Sequence, residues 1–299
     1  MILKYSEIKC NSKKHIAMTS LNSSEFDELL VPFEDAWNEH TGSHEKNQKS
    51  GGRPPILKTA EDRLFFILFY LKVYPLQEVI AHLFSMSQGQ ANTYIHSLSG
   101  VLKITLTKMG NMPARIPEEM LAKLANEGHQ NIGIDATERR IQRPTDPVKQ
   151  KLYYSGKKKA HTIKNNLAAG LDDRQIKYLG NTHEGKKHDK KICDDEGITF
   201  PAGTDLYRDN GFEGHDLPTI NIHQPKKKPR NGELSSIDKE NNRIISSIRV
   251  VVEHVICGIK RLRIVKDIFR NWKEDYDDLV LELACGLHNF RTENRLHNY

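Results

Sequence analysis

The period of the apolar pattern changes near residue 130, and that change limits what this chain can fold into. Before it, apolar side chains recur every three or four residues, as in Phe26, Leu29, Leu30, Phe33 and Trp37, which predict a helix over Ser24–Trp37. From Asn131 the segments are short and extended, and a long helical period returns at Ile237. This order predicts an all-α region over residues 1–125 and an α/β region over 130–299. A chain of 299 residues can bury a core in each.

In the first region, Thr59 with Asp62 three residues on predicts the start of a helix reaching Val73. A second helix is expected from Pro75 to Phe84, and Ser87 with Gln90 forms a capping-box pattern leading to Leu98. The intervening Ser85-Met86-Ser87 makes a helix-turn-helix of about residues 59–98; an ordinary helical bundle is the competing reading. Its second helix would present Gln88, Gln90, Asn92, Thr93 and His96, which can read base edges or hold phosphates. The polar stretch Asn38–Pro55 predicts a linker or arm.

In the second region, strands are expected over Asn131–Thr137, Arg139–Arg143, His161–Ala169 and Gln175–Gly180, as an antiparallel meander. Further strands are expected over Thr204–Asp209 and Thr219–His223, and helices over Ile237–Leu262 and Asp277–Arg291.

The net charge of +6 is modest but bunched. Six lysines and no acid lie between Lys149 and Lys164, and Lys186–Lys191, Lys226–Arg230 and Lys260–Lys273 are also basic. One such run is often only a solvated face; four in one half of the chain suit a polyanion such as nucleic acid. Cys10, Cys193, Cys257 and Cys285 form no Cys-x-x-Cys pair, which argues against a zinc site or disulfide framework and for a reducing compartment. The longest apolar run, Leu64–Leu71, is too short to span a bilayer and no secretory signal is visible at Met1, so a cytoplasmic protein without a membrane partner is expected.

Three acids stand out. Asp135 ends the apolar run Ile132-Gly133-Ile134, and Asp209 ends Leu206-Tyr207-Arg208 just before Asn210-Gly211-Phe212. Either alone can be a strand-end aspartate capping a turn. Asp205, four residues before Asp209, competes with it. On the long helix, Ile245, Ile248, Val252, Val255, Ile259 and Leu262 form a core stripe. Arg249, Glu253 and Lys260 border that stripe: at about 100° per residue, Glu253 lies about 40° and Lys260 about 20° from Arg249. Glu253 is therefore expected to be partly buried and to need a cation, either Arg249 as an i to i+4 pair or a metal ion. Three carboxylates brought together would suit Mg²⁺ or Mn²⁺, and two such ions can activate an attacking oxygen and neutralise a departing one at a phosphodiester.

The segments Asp135-Ala136-Thr137-Glu138 and Asp209-Asn210-Gly211-Phe212, and the spacing of Arg249, Glu253 and Lys260, resemble the three motifs of DDE-superfamily insertion-sequence transposases, in particular the insertion sequence 5 group. Ser246 stands where that family's third motif has tyrosine, and Ala136 where its first has glycine. The segments Tyr153–Lys159 and His161–Lys164 are similar to a basic stretch of the family, and His188-Asp189 to a further motif without an assigned role.

The resemblance implies an RNase H-like catalytic domain, a mixed sheet flanked by helices, after a helix-turn-helix region. It implies metal ligation by Asp135, Asp209 and Glu253, and phosphate contacts by Arg249 and Lys260 with Lys157, Lys158 and Lys159. It further implies double-stranded DNA partners, namely terminal inverted repeats and target DNA, a homo-oligomeric synaptic complex, and a nucleoid-associated location. The rival readings are a DNA-binding protein descended from a transposase, and a metal-dependent endonuclease without strand transfer.

Asp205 is only the competing candidate for the second position.

Overall fold

The computed structural model describes residues 3–45, 55–125 and 130–296. Along the chain run α1 (Ser12–Thr19), α2 (Ser23–Glu45), α3 (Ala60–Val73), α4 (Gln77–Leu83), α5 (Gln88–Lys108) and α6 (Pro117–Ala125). Then follow β1 (Asn131–Arg140), α7 (Pro147–Tyr153), β2 (Tyr154–Ser155), β3 (Ala160–Gly170), β4 (Ile176–Leu179), β5 (His183–Glu184) and α8 (Asp189–Glu196). The last elements are β6 (Asp205–Tyr207), β7 (Asn221–His223), α9 (Ser236–Ile259), α10 (Arg263–Lys266) and α11 (Tyr276–Leu296).

The chain forms two compact units that do not follow chain order. The first comprises Met1–Met112, Lys260–Lys266 and Leu279–Asn294; the second holds Pro113–Ile259 and Asp267–Asp278. In the first unit α3 is buried from Leu64 to Leu71, so it is a central helix with no solvent face over that run. Its start is as expected, with the Thr59 hydroxyl accepting from the Asp62 N–H at 3.1 Å. Phe66 meets Phe84 edge-on, with ring centroids 4.9 Å apart. Most of α11 belongs here too, at a close approach where a Cβ on Gly286 would lie 2.6 Å from the Met112 sulfur.

Two expectations for this unit change. The second helix begins at Gln77 rather than Pro75, with Leu76 as its N-cap. The stretch expected as a linker continues α2 as far as Glu45, and the remainder, residues 46–54, lies outside the described residues.

The second unit is built on a mixed sheet of order β2-β3-β1-β6-β7, with β4 and β5 also paired to β3. β1 runs antiparallel to β3 and parallel to β6. The two strands expected over Asn131–Thr137 and Arg139–Arg143 are one, because the ladder with β3 is unbroken from Ile132↔Gly170 to Arg140↔Thr162. Side chains of β1 alternate between two faces. Ile132, Ile134 and Ala136 enter a core with Met120, Leu124, Tyr178, Ile198 and Phe212. Gly133 and Asp135 point the other way, toward α9: a Cβ on Gly133 would lie 2.1 Å from Val252 Cγ2, so only glycine lets the helix seat this closely.

Candidate active site

Parallel pairing sets two of the three acids side by side. The β1–β6 register joins Asn131 to Asp205 and Gly133 to Tyr207, and Asp209, two residues past that ladder, lies near enough to Asp135 to repel it. Asp205 sits at the far end of β6, where it pairs with His223 Nε2 at 2.8 Å. Asp209 caps the turn Asn210–Phe212 by accepting from the Gly211 N–H at 2.6 Å, the local role that strand-end aspartates often take.

A third carboxylate reaches this place from α8. A Cβ on Gly211 would stand 2.8 Å from Asp209 Oδ1 and 3.0 Å from Asp189 Oδ2, so both carboxylates crowd one point of backbone. Asp189 is held by Lys164, whose Nζ lies 2.9 Å from its Oδ1. Lys164 is buried, donates to the Lys187 carbonyl at 2.9 Å and lies 3.7 Å from Glu138. Lys164 and Glu138 are register partners on β3 and β1, so strand pairing accounts for their meeting.

Burial pushes the Asp135 carboxyl up to about 6, and the Ala136 N–H, donating to it at 2.8 Å, pulls the other way. Asp209 and Asp189 add repulsion, and Arg249 opposes them. Neither Asp135 nor Asp209 has an ion pair among the described residues.

Glu253 does not join this group. It is exposed on α9 rather than partly buried, and it forms no ion pair with Arg249; the charge of Arg249 acts on Asp135 instead. Among the described residues no three His, Cys, Asp or Glu side chains are close enough to hold a metal ion together. Glu253 does follow Val252, which packs on Gly133, two residues before Asp135. α9 ends at Ile259, so Lys260 occupies the following turn and the helical angle no longer fixes its direction. Lys157, Lys158 and Lys159 are exposed between β2 and β3.

In the helix-turn-helix segment the capping box at Ser87 and Gln90 is formed. Gln88, Gln90 and Thr93 are exposed, whereas Asn92 and His96 are partly buried. Gln77 accepts from Gln88 Nε2 at 2.6 Å and donates to Asn92 Oδ1 at 3.0 Å. Gln90 is held by Ser87, and the Thr93 hydroxyl donates to the Gly89 carbonyl at 3.0 Å.

The environment of Asp189 was not legible beforehand, because nothing local in sequence ties it to Asp209. The parity of β1 and β3 could have placed Lys164 beside Glu138.

Residues 134–289 match the family described as DDE superfamily endonuclease, and residues 57–108 match the helix-turn-helix of DDE superfamily endonuclease. A protein of Microchaete diplosiphon described as "Probable transposase for insertion sequence element IS702" is 29% identical over 250 residues, which cover 82% of this chain and 85% of that protein. No solved structure matches the chain. The endonuclease match takes in Asp135, Asp189, Asp209 and Glu253 and spans more than half of the sequence: the chain belongs to the DDE superfamily of endonucleases and carries that superfamily's helix-turn-helix.

Proposed function

We propose that the chain is a transposase that cuts DNA at the ends of a mobile element and joins them to target DNA. The observation that carries this reading is the pair of Asp135, desolvated within β1, and Asp209, just past the end of the neighbouring parallel strand β6, neither with an ion pair among the described residues. Carboxylates left in this state suit a hard divalent cation, because its charge offsets both burial and mutual repulsion.

Asp135 and Asp209 would hold Mg²⁺ or Mn²⁺, two ions in the complete site, with Glu253 as the remaining ligand on the strength of its spacing from Arg249. Bound there, the metal supplies an activated oxygen nucleophile and stabilises the leaving oxygen. Arg249, Lys260 and Lys157–Lys159 would bind phosphates, and Lys164 pairs with Asp189 beside Asp209. Residues 1–125 would recognise terminal inverted repeats through Gln88, Gln90, Asn92 and Thr93, and residues 130–299 would catalyse. A homo-oligomer would bring two ends together, in the cytoplasm at the nucleoid.

The test is incubation of the protein with cognate end DNA and target DNA in Mg²⁺, comparing wild type with Glu253→Gln and Asp189→Asn. Cleaved and joined products from wild type, lost in Glu253→Gln, are expected. Cleavage that survives Glu253→Gln but not Asp189→Asn would replace the third ligand; cleavage without joining would make the protein a nuclease.

A further inference from the structure

Trp272 is 76% exposed, the largest exposure among the large hydrophobic side chains described. It stands on the loop between α10 and α11, at a cavity of about 500 Å³ whose walls include Tyr153, Phe269 and Ile163. The loop is fastened to the end of β1, since the Phe269 N–H donates to the Arg140 carbonyl at 2.9 Å and Phe269 bridges to Ile141. Trp272 is thus displayed on an anchored segment.

The cavity has polar groups with work left to do. Asn271 Nδ2 is buried and without a hydrogen-bond partner, while Asn271 Oδ1 accepts from the Lys273 N–H at 2.9 Å. A buried donor left unpaired is costly, so an acceptor from a ligand would be favoured there. Glu274, Asp275 and Asp277 line the cavity along with Lys149 and Lys273, so acids outnumber bases in its wall. Aromatic walls, an amide donor and carboxylate acceptors together match a planar base bearing an amino group.

The position suits the proposed reaction. Ile141 directly follows β1 with the parity of Asp135, and six residues of extended chain span about 20 Å. At about 3.4 Å per nucleotide along one strand, that distance is about six nucleotides.

We propose that this cavity receives an unpaired, amino-bearing base of the bound DNA, stacked on Trp272, about six nucleotides from the cleaved bond. The site rests on the DNA-cutting function proposed above.

The test uses the full chain with Trp37→Phe, which leaves Trp272 as the sole tryptophan. Binding of a fully paired duplex is compared with binding of the same duplex carrying one unpaired adenine, by anisotropy and by Trp272 emission. The bulged duplex should quench Trp272 and bind about 5- to 150-fold more tightly, in line with the usual loss on removing a stacking aromatic. In the Trp37-containing chain, Trp272→Ala should abolish that preference and Trp272→Phe should keep part of it; Asn271→Ala should reduce it. Equal binding of the two duplexes, or a preference that survives Trp272→Ala, would overturn the site while leaving the cutting function intact. Absence of any DNA binding by wild type would overturn both.

Discussion

The polar side chains of α4 and α5 satisfy one another, whereas the carboxylates of Asp135 on β1 and Asp209 after β6 do not. Gln77 bonds both Gln88 and Asn92, and Ser87 and Gln90 cap each other. Among the described residues, Asp135 and Asp209 accept only from nearby backbone N–H groups, and Asp189 adds a third negative charge. The first surface is stable without a ligand; the second stores repulsion that a cation would relieve.

The largest effect on the strand ends should come from the seat of α9. Gly133→Ala puts a methyl where Val252 Cγ2 already lies, and should lower stability by about 1–3 kcal/mol in urea unfolding. Adding Val252→Ala should recover part of that loss; no recovery would mean that the clash is elsewhere.

Removing the repulsion should act in the opposite direction. In metal-free protein, Asp135→Asn should raise stability at pH 7 by about 1–3 kcal/mol. The folded-state value is raised, so Asp135 favours folding below its unfolded value and loses that contribution as pH rises through about 6. The gain from Asn should therefore shrink as pH falls through 6 and disappear near 4. A gain that stays constant with pH would contradict this origin.

A smaller change is expected on the helix pair. Gln77→Ala should cost about 1 kcal/mol in thermal unfolding, because Gln88 and Asn92 both lose a partner. No loss would show that these amides are as well satisfied by water.

The smallest effect is a count of thiols. Cys10 and Cys257 are exposed, while Cys193 and Cys285 are buried and burial pushes the Cys193 thiol up to about 12. Two thiols should react with a thiol reagent at neutral pH in the native protein, and four in denaturant.

Legibility in the sequence followed the range of the interactions. Thr59, Ser87 and the apolar period of α3 and α5 act within a few residues, and the helices formed where these signals stood. The break expected near Glu138 failed because pairing with β3, distant in sequence, continues through it. α8 went unforeseen: charged residues dominate its eight positions, and its packing depends on Asn166, which donates to the Asp189 carbonyl. Helical angles gave the stripe at Val252 but misjudged the burial of Glu253, because the sheet covers only part of that face.

The most direct test is the rate of Mg²⁺-dependent cleavage of end DNA by wild type, Asp135→Asn and Asp209→Asn, with DNA binding measured alongside. Each substitution should abolish cleavage while binding stays within a fewfold of wild type. Cleavage at the wild-type rate in either variant would contradict the assignment of Asp135 and Asp209 as the metal-holding centre.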